Sequence, residues 1–319
     1  MGLREEGNTL ARLMRVTSSA PSHPRRQHWK WFGSVPTLLV VFATMTNAGA
    51  VTVEPHASVR GRWAPASHAH ISPFPVGTKD SADPSREGPP NATALAGFHR
   101  VYVSDFPGRS LSHAWELFTG VPGGDPGGQF AASHVTVSGG LLHLNAWRDP
   151  MYQGRWVTGG LCQCGITQSY GAYFVRSRIT GGGANEVQLL WPASDTWPPE
   201  IDFNESLGYQ SRTTASIHFG AANHVQQLSV KRNLLLWHTW GVIWTPDSIT
   251  FVVDGRPWHV IRNPADIPKV RMRLDLEQRT MCSRHAQCPA RPVSMEVDWV
   301  AVYGMDSTAA TTTTSAPRS

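Results

Sequence analysis

The chain of 319 residues has a charged fraction of only 16% and a net charge of +5, whereas glycine, proline and tryptophan are abundant, with 29, 24 and 13 residues. This composition is typical of a loop-rich, mainly β globular domain rather than of a helical protein. Six basic and two acidic residues lie in residues 1–50, so the remainder of the chain is almost neutral. A basic surface for nucleic acid is therefore not indicated.

Residues 1–50 have the pattern of a signal peptide. The basic stretch RRQHWKW precedes the apolar run Val35–Met45, and the small residues Ala48–Ala50 fit a cleavage site. The apolar run is shorter than the roughly 20 residues of a bilayer span, so stable membrane insertion is not expected, with an uncleaved anchor as the alternative. The pair Arg25-Arg26 loosely resembles a twin-arginine signal. The pattern predicts a secreted or cell-surface protein.

Residues 51–97 are rich in Pro, Ala, His and Ser, which predicts a flexible linker, and the biased composition of residues 306–319 predicts a disordered tail. Residues 98–305 between them predict one folded catalytic unit of short strands. In chain order the strand patterns are FHRVYVSDF, HVTVSGGLLHLNAW, YGAYFVRSRIT, NEVQLLWP, EIDFNE, TTASIHFG, LLLWHTWGVIWTPDSITFVVDGRPWHVI, KVRMRLDLEQ and SMEVDWVAVY. Turn signals at intervals of roughly 8–12 residues, without a helical period, indicate an all-β sandwich.

Four cysteines, Cys162, Cys164, Cys282 and Cys288, agree with an oxidising compartment. Cys282 and Cys288 bracket a short polar loop that a disulfide can close. Cys162 and Cys164 lie two apart on one strand face, a spacing that is awkward for a bond between them. Four cysteines allow three connectivities. A structural zinc site would be expected to show the paired C-x-x-C spacing, which this chain lacks.

The segment WPPEIDFNES places three carboxylates, those of Glu200, Asp202 and Glu205, in a strand pattern. Glu200 and Asp202 share a face because they are two apart. Glu205 lies three beyond Asp202 and would face the other side of a regular strand. A β-bulge at Phe203-Asn204 would return Glu205 to the shared face and leave Ile201 in the core.

Carboxylates clustered on one face are typical of glycoside hydrolysis. A retaining mechanism needs an ionised carboxylate and a protonated carboxyl about 5–5.5 Å apart. The alternative is a solvated edge strand whose charges oppose aggregation. The apolar pattern of NEVQLLWP indicates a buried neighbourhood, and the flanking Trp191 and Trp197 can stack on sugars. Both features favour the catalytic interpretation.

The segment LWPASDTWPPEIDFNE, residues 190–205, resembles the active-site segment of glycoside hydrolase family 16, which includes laminarinases and other β-glucanases. Further segments resemble the family in the same order and extend the resemblance over residues 98–305. They are DFPGRSLSHAW, WVTGGL, YGAYFVRSRI, WHTWGVIWTPDSITFVVDG and MEVDWVAVY. The resemblance implies a concanavalin-like β jelly roll, a sandwich of two curved antiparallel sheets. The letters FNE after Asp202, the residue Pro199 and the CxC pair depart from the family pattern.

By this resemblance Glu200 is the nucleophile, Glu205 is the general acid and then the base, and Asp202 raises the proton affinity of Glu205 while orienting Glu200. The two-residue gap before Glu205 accompanies the laminarinase-like branch. It implies a retaining endo-β-glucanase for β-1,3 and mixed β-1,3-1,4 linkages. The expected partner is a polysaccharide substrate, the expected state is a monomer, and no organic cofactor is expected. Members of the family sometimes hold a structural calcium near the chain termini, to which Asp298 could contribute, but the sequence shows no calcium-loop pattern.

Four residues are candidate substrate-binding residues: Trp191, Trp197, Trp156 in WVTGGL, and His218 in SIHFG. Core packing explains Trp156 equally well, and simple packing or solvation on a strand is the alternative for His218. Two other functions stay open. One is a carbohydrate-binding, lectin-like protein on the same fold, for which all three carboxylates would be unnecessary. The other is a transglycosylase that transfers the glycosyl group to a sugar instead of to water.

Overall fold

The structure is a computed structural model that describes residues 74–280, Cys282 and residues 288–306. The signal predicted for residues 1–50, most of the linker and the tail after Asp306 lie outside the described residues. The strands of the described part are β1 (Thr78–Lys79), β2 (Glu87–Gly88), β3 (Phe98–Ser104), β4 (Glu116–Leu117), β5 (Val135–Ser138), β6 (Leu141–Asp149), β7 (Arg155–Val157), β8 (Gly160–Cys162), β9 (Gly171–Ile179), β10 (Asn185–Pro192), β11 (Glu200–Glu205), β12 (Arg212–Phe219), β13 (His224–Lys231), β14 (His238–Trp244), β15 (Ile249–Val253), β16 (Arg256–Ile261), β17 (Met272–Arg279) and β18 (Val293–Met305).

Helical structure in the described part is limited to two short 3-10 turns, Ala132–His134 and Pro150–Tyr152. Neither is long or apolar enough to serve as a membrane span, and the described residues hold no other helix.

Two large antiparallel sheets form the sandwich. The cleft sheet has the strand order β13-β12-β11-β10-β17-β8-β4. The back sheet has the order β16-β15-β14-β9-β18-β6-β5, and β3 and β7 pair with β18 and β6. The all-β sandwich of antiparallel sheets predicted from the sequence is confirmed.

The core lies between the sheets and is made by the side chains that alternate inward. In β11 the inward residues include Ile201 and Phe203, which pack with residues of both sheets such as Ile217, Leu274 and Trp240. These side chains are fully or almost fully buried. Burial of each large apolar side chain contributes about 1.5–3 kcal/mol. Because Ile201 and Phe203 point into the core, the side chain of Asp202 between them points to the outer face of the cleft sheet.

Residues 74–97, which the composition places in the linker, are part of the folded unit. β1 pairs with β2, and this segment covers aromatic side chains of β18. Trp299 Nε1 donates a hydrogen bond to the Glu87 carbonyl at 2.8 Å, and the Tyr303 hydroxyl donates to the Asn91 carbonyl at 3.0 Å. The sequence of this segment predicts a linker because it has few apolar side chains. Its contribution to the fold is a set of backbone hydrogen-bond acceptors, and the aromatic groups that bind to them belong to β18, near the other end of the chain.

Both cysteine pairs are disulfides: Cys162 with Cys164, and Cys282 with Cys288. The second pair was expected, and the first contradicts the expectation that Cys162 and Cys164 are poorly placed for bonding. The reason is that β8 ends at Cys162 and the chain turns there, so the two Cα atoms lie 5.1 Å apart. That distance lies within the range of about 4.4–6.8 Å that a disulfide needs.

Polar side chains form a cluster inside the sandwich, beside the end of β11. Oε1 of Glu186 accepts hydrogen bonds from Ser177 Oγ at 2.8 Å and from Gln188 Nε2 at 2.9 Å. Thr213 Oγ1 donates to Asn204 Oδ1 at 2.6 Å. We call these five residues the interior polar cluster. Burial raises the pKa of Glu186 to about 7, against the smaller lowering effects of its hydrogen bonds and of His238.

We predict that Glu186→Gln reduces the loss of stability at high pH. A carboxyl whose pKa rises on folding stabilises the protein fully below its unfolded pKa, and this contribution disappears as pH rises through the folded pKa of about 7. The free energy of unfolding of the parent protein should therefore fall between pH 5 and 8, by on the order of 2–3 kcal/mol from this group. Urea unfolding at several pH values measures this free energy of unfolding.

The Glu186→Gln variant should show a flatter profile because an amide cannot ionise. Asp247→Asn, in the exposed loop between β14 and β15, is the matched control and should follow the parent profile. Identical pH slopes for Glu186→Gln and the parent protein would contradict the prediction.

Candidate active site

The catalytic strand predicted from the sequence is β11, and it contains the predicted bulge. Asp202 pairs with Ser216 of β12 and Glu205 pairs with Thr214, so Phe203 and Asn204 together face a single residue of β12. The register with β10 shifts at the same place. Phe203 is buried in the core and Asn204 is held by Thr213 in the interior polar cluster. Both bulge residues point inward, which returns Glu205 to the face of Glu200 and Asp202.

Each of the three carboxylates has its own hydrogen-bond donor. Trp197 Nε1 donates to Glu200 Oε2 at 2.6 Å, Ser216 Oγ donates to Asp202 Oδ2 at 3.1 Å, and Asn185 Nδ2 donates to Glu205 Oε1 at 3.0 Å. Asn185 also accepts from the Leu207 backbone N–H at 2.6 Å, which fixes the amide orientation. The three carboxylates are therefore oriented separately.

Glu200 and Asp202 share their electrostatics. Burial raises the pKa of Glu200, while His218, the indole of Trp197 and Arg279 act in the opposite direction. Burial raises the pKa of Asp202 well above its ordinary value, and the charges of Glu200 and Glu205 raise it further. Neighbouring negative charges thus add to the effect of burial on the pKa of Asp202, whereas a histidine, an indole and an arginine oppose that effect on the pKa of Glu200. The expected action of the Asp202 charge on Glu205 stays a prediction.

His218 lies on β12, beside the carboxylates of Glu200 and Asp202. It is the register partner of Glu200 on β12, and its Nε2 is 3.8 Å from Asp202 Oδ2. Its Nδ1 is 2.9 Å from Asn223 Oδ1. Since an amide oxygen only accepts hydrogen bonds, Nδ1 carries the hydrogen in this contact. The Trp197 ring is 5.5 Å from the imidazole.

The three candidate tryptophans occupy different environments. Trp197 is half-buried and donates its indole hydrogen bond to Glu200. Trp191 lies on β10 with only 3% of its surface exposed, so it presents almost no ring face to a sugar. Trp156 packs against the small cluster of Ala146, Ala184 and Val293, and the Arg148 guanidinium lies over its ring at 5.4 Å.

Two arginine–carboxylate pairs on β17 were not predicted from the sequence. Arg273 contacts Asp195 at 2.8 Å and Asp275 at 3.2 Å, and Arg279 pairs with Glu277. The sequence signal was present: in MRLDLEQR, charged side chains alternate with buried apolar ones, which places them together on the outer face of a strand.

Arg279 connects the carboxylates to the wall of the cleft. Its Nη1 donates to the Gly123 carbonyl at 2.8 Å, and its register partner on β10 is Asn185, the donor to Glu205. The charges of Glu277, Glu200 and Glu205 raise the pKa of Arg279, against the lowering effect of its burial. Arg279 is thus paired with Glu277 and lies near enough to both predicted catalytic glutamates for their charges to act on it.

Asp298, the residue considered for calcium, lies in a different environment. Its Oδ2 accepts from the Ser85 backbone N–H at 3.3 Å, and Ser85 Oγ accepts from Arg176 Nε at 2.5 Å. The positive charge facing Asp298 is the Arg176 guanidinium, which also pairs with Glu87 at 3.0 Å. A guanidinium in this position does not fit an oxygen-lined calcium cage. We derive no calcium chemistry from it.

A β-sandwich whose cleft sheet carries three individually oriented carboxylates on one bulged strand belongs to the class of glycoside hydrolases. The family follows from the sequence match: residues 129–301, more than half of the chain, match glycosyl hydrolases family 16. The chain belongs to this family.

Two of the curated relatives with similar sequences are larger proteins. The chain is 25% identical over 148 residues to endo-1,3-1,4-beta-glycanase ExsH of Rhizobium meliloti (strain 1021), covering 44% of this chain and 32% of that protein. It is 25% identical over 267 residues to glucan endo-1,3-beta-glucosidase A1 of Niallia circulans, covering 68% of this chain and 39% of the relative. The chain thus spans about a third of the length of these relatives.

Solved structures with the same fold include enzymes for more than one glycan. The catalytic domain of an endo-1,3-beta-glucanase (laminarinase) from Thermotoga petrophila RKU-1 has a TM-score of 0.55 at 18% identity, covering 65% of this chain and 98% of that one. SCLam, a non-specific endo-beta-1,3(4)-glucanase from family GH16, has a TM-score of 0.57 at 21% identity, with coverages of 66% and 92%. A structure described with endo-acting O-glycanases of the human gut microbiota has a TM-score of 0.59 at 20% identity, with coverages of 69% and 96%. At these identities the likeness shows the fold alone, and it agrees with the expected jelly roll.

Proposed function

We propose that the protein is a retaining endo-β-glucanase that hydrolyses β-1,3 linkages, including those of mixed β-1,3-1,4-glucans. The observation that carries the proposal is the bulge in β11, which brings Glu205 to the same face as Glu200 and Asp202. Family membership and the names of the relatives, which are endo-1,3- and endo-1,3-1,4-glucanases, support the substrate class.

In the first step, a Glu200 oxygen attacks the anomeric carbon and the bond from that carbon to the leaving oxygen breaks. Glu205 gives its proton to the leaving oxygen, so the first product departs as a neutral sugar. The attack requires an ionised Glu200. Burial raises the pKa of Glu200, and the charges of His218 and Arg279 and the Trp197 indole N–H act against this effect and favour the ionised form.

In the second step, Glu205 is a carboxylate and takes a proton from water, whose oxygen attacks the glycosyl–Glu200 ester. The ester bond breaks, Glu200 regains its charge, and the sugar leaves with its original anomeric configuration. Asn185 Nδ2 holds Glu205 Oε1 at 3.0 Å, so one carboxyl oxygen is fixed while the other is available for proton transfer.

The charge balance of the cleft favours a neutral polysaccharide over a sulfated or uronic one. Arg273 and Arg279 are both neutralised by carboxylates, namely Asp195, Asp275 and Glu277. The ionised Glu200 then leaves the described surface around it negative. An anionic chain would be repelled there, whereas a glucan carries no charge.

We also propose that the enzyme is exported and acts as a monomer. The two disulfides support an oxidising compartment, in agreement with the signal pattern of the sequence. Transglycosylation would use the same covalent intermediate with a sugar as the acceptor, so the products show which of the two reactions dominates.

We predict that Glu200→Gly and Glu205→Gly each lower release of reducing sugar from laminarin by at least about 100-fold, because each loses a group that acts on the transition state. Azide distinguishes their roles. With an aryl β-glucoside oligosaccharide, Glu200→Gly and azide should give the α-glycosyl azide, since azide replaces the nucleophile. Glu205→Gly and azide should give the β-glycosyl azide, since azide replaces water in the second step.

Glu296→Gln, which changes a carboxylate far from β11, should retain parent activity. NMR of the first products of the parent enzyme should show the β-anomer. An α-anomer as first product, or full activity in Glu200→Gly, would contradict the mechanism. Binding of laminarin without turnover of any β-glucan would favour the lectin-like alternative.

We predict that Arg279→Gln lowers kcat on laminarin by about 10-fold, because a charged hydrogen-bonding group worth roughly 1.5–3 kcal/mol faces both catalytic glutamates and holds Gly123. Arg279→Lys should recover part of the rate, since it retains the charge. Arg178→Gln, which removes an arginine paired with Glu296 on the back sheet, is the control. The prediction fails when Arg279→Gln and Arg178→Gln have equal kcat values.

A further inference from the structure

Glu200, Asp202 and His218 form a cluster of potential metal donors. One donor atom from each residue, a carboxylate oxygen or a ring nitrogen, lies within 4.8 Å of the other two. The imidazole is only partly covered, with 20% of its side chain exposed, so the cluster is open to solutes from the cleft.

The distances suit a small divalent ion. Bonds of about 2.0–2.2 Å from Zn²⁺ to nitrogen and oxygen donors separate two tetrahedral ligands by about 3.3–3.6 Å. Nε2 of His218 and Oδ2 of Asp202 are 3.8 Å apart, too long for a direct hydrogen bond but within a few tenths of an ångström of the ligand spacing. Glu200 accepts the Trp197 hydrogen bond through Oε2 and shares a second hydrogen bond with Asp202, and a cation bound between the two carboxylates would take the place of that second bond.

The orientation of the imidazole is an independent indication. Nδ1 donates its hydrogen to Asn223 Oδ1 at 2.9 Å, so Nε2 of the neutral ring directs a lone pair towards the carboxylates. Histidine ligands of metals characteristically donate the other ring N–H to an oxygen acceptor in this way. Asn223 has a φ of 51°, a left-handed conformation that aims its side chain back at β12.

We propose that Glu200, Asp202 and His218 form an inhibitory site for a borderline divalent transition-metal cation such as Zn²⁺, oriented by Asn223. The mixed nitrogen and oxygen donors select this class of ion over Ca²⁺ and Mg²⁺, which prefer oxygen alone. A cation bound there engages the Glu200 oxygen that would attack the sugar, so cation and glucan exclude one another. The second cluster of this kind in the described part, Glu116 with Cys162 and Cys164, has its sulfurs joined in a disulfide.

The test is calorimetric titration of the full chain with ZnCl₂, with and without saturating laminari-oligosaccharide. The parent protein should bind Zn²⁺ at one site that the oligosaccharide blocks. His218→Gln should remove that site. Other histidines of the chain, including His56, His68 and His70, contribute a background that His218→Gln leaves unchanged.

Asn223 provides a matched pair of variants. Asn223→Gly tolerates the positive φ but removes the acceptor, and should weaken Zn²⁺ binding by about 10-fold, the lower range for loss of such an orienting partner. Asn223→Asp keeps an acceptor and should bind at least as tightly as the parent. His224→Gln alters the exposed neighbouring histidine and should bind like the parent.

Inhibition kinetics complete the test. Zn²⁺ should inhibit laminarin hydrolysis competitively in the parent and in His224→Gln, with an inhibition constant raised about 10-fold in Asn223→Gly. Equal Zn²⁺ isotherms for the parent, His218→Gln and Asn223→Gly would overturn the proposal, as would Zn²⁺ binding that oligosaccharide leaves unaffected. The calorimetric arm does not depend on the proposed hydrolytic function, so failure of hydrolysis and failure of metal binding are distinguishable.

Discussion

The site depends on one extra residue in β11. A regular strand with the spacing of Glu200, Asp202 and Glu205 would place the third carboxylate in the hydrophobic core, where an isolated charge costs several kcal/mol. Two constraints hold the extra residue in place: the burial of Phe203 between the sheets and the bond from Thr213 Oγ1 to Asn204 Oδ1. The bulge is therefore stabilised by contacts in the core, and its effect is to place Glu205 on the cleft face.

The interior polar cluster adds a second layer to this arrangement. Asn204 and Glu186 lie behind the cleft sheet, and Glu186 is adjacent in sequence to Asn185, which orients Glu205. The backbone of Glu186 also exchanges hydrogen bonds with Ser206, through Ser206 Oγ at 2.8 Å and Ser206 N at 2.9 Å. A displacement of these buried groups would be transmitted directly to the position of Glu205.

The sequence predicted what depends on local pattern. The sandwich, the bulge between Asp202 and Glu205 and the inward direction of Ile201 follow from alternation along single strands. What it missed depends on pairing between distant strands: the hydrogen bond from Asn185 to Glu205, the approach of Arg279 to both glutamates and the role of Asn223 all require a register that no single segment contains. The Cys162–Cys164 bond was missed for a local reason, since a strand end cannot be placed to one residue from alternation alone.

The same electrostatic arrangement explains both of the proposed properties of the cleft. Attack by Glu200 needs a carboxylate that is ionised although half-buried, and it is stabilised by the Trp197 N–H and by the fixed cation Arg279. The negative charges of Glu200 and Glu205 act on Asp202, and Nε2 of the His218 ring lies 3.8 Å from its Oδ2. In the proposed hydrolysis, a proton neutralises the Asp202 carboxylate. In the proposed metal complex, a divalent cation neutralises Asp202 and Glu200 together when no sugar is bound. The asymmetry that prepares Glu200 to react is thus also the source of the affinity for metal.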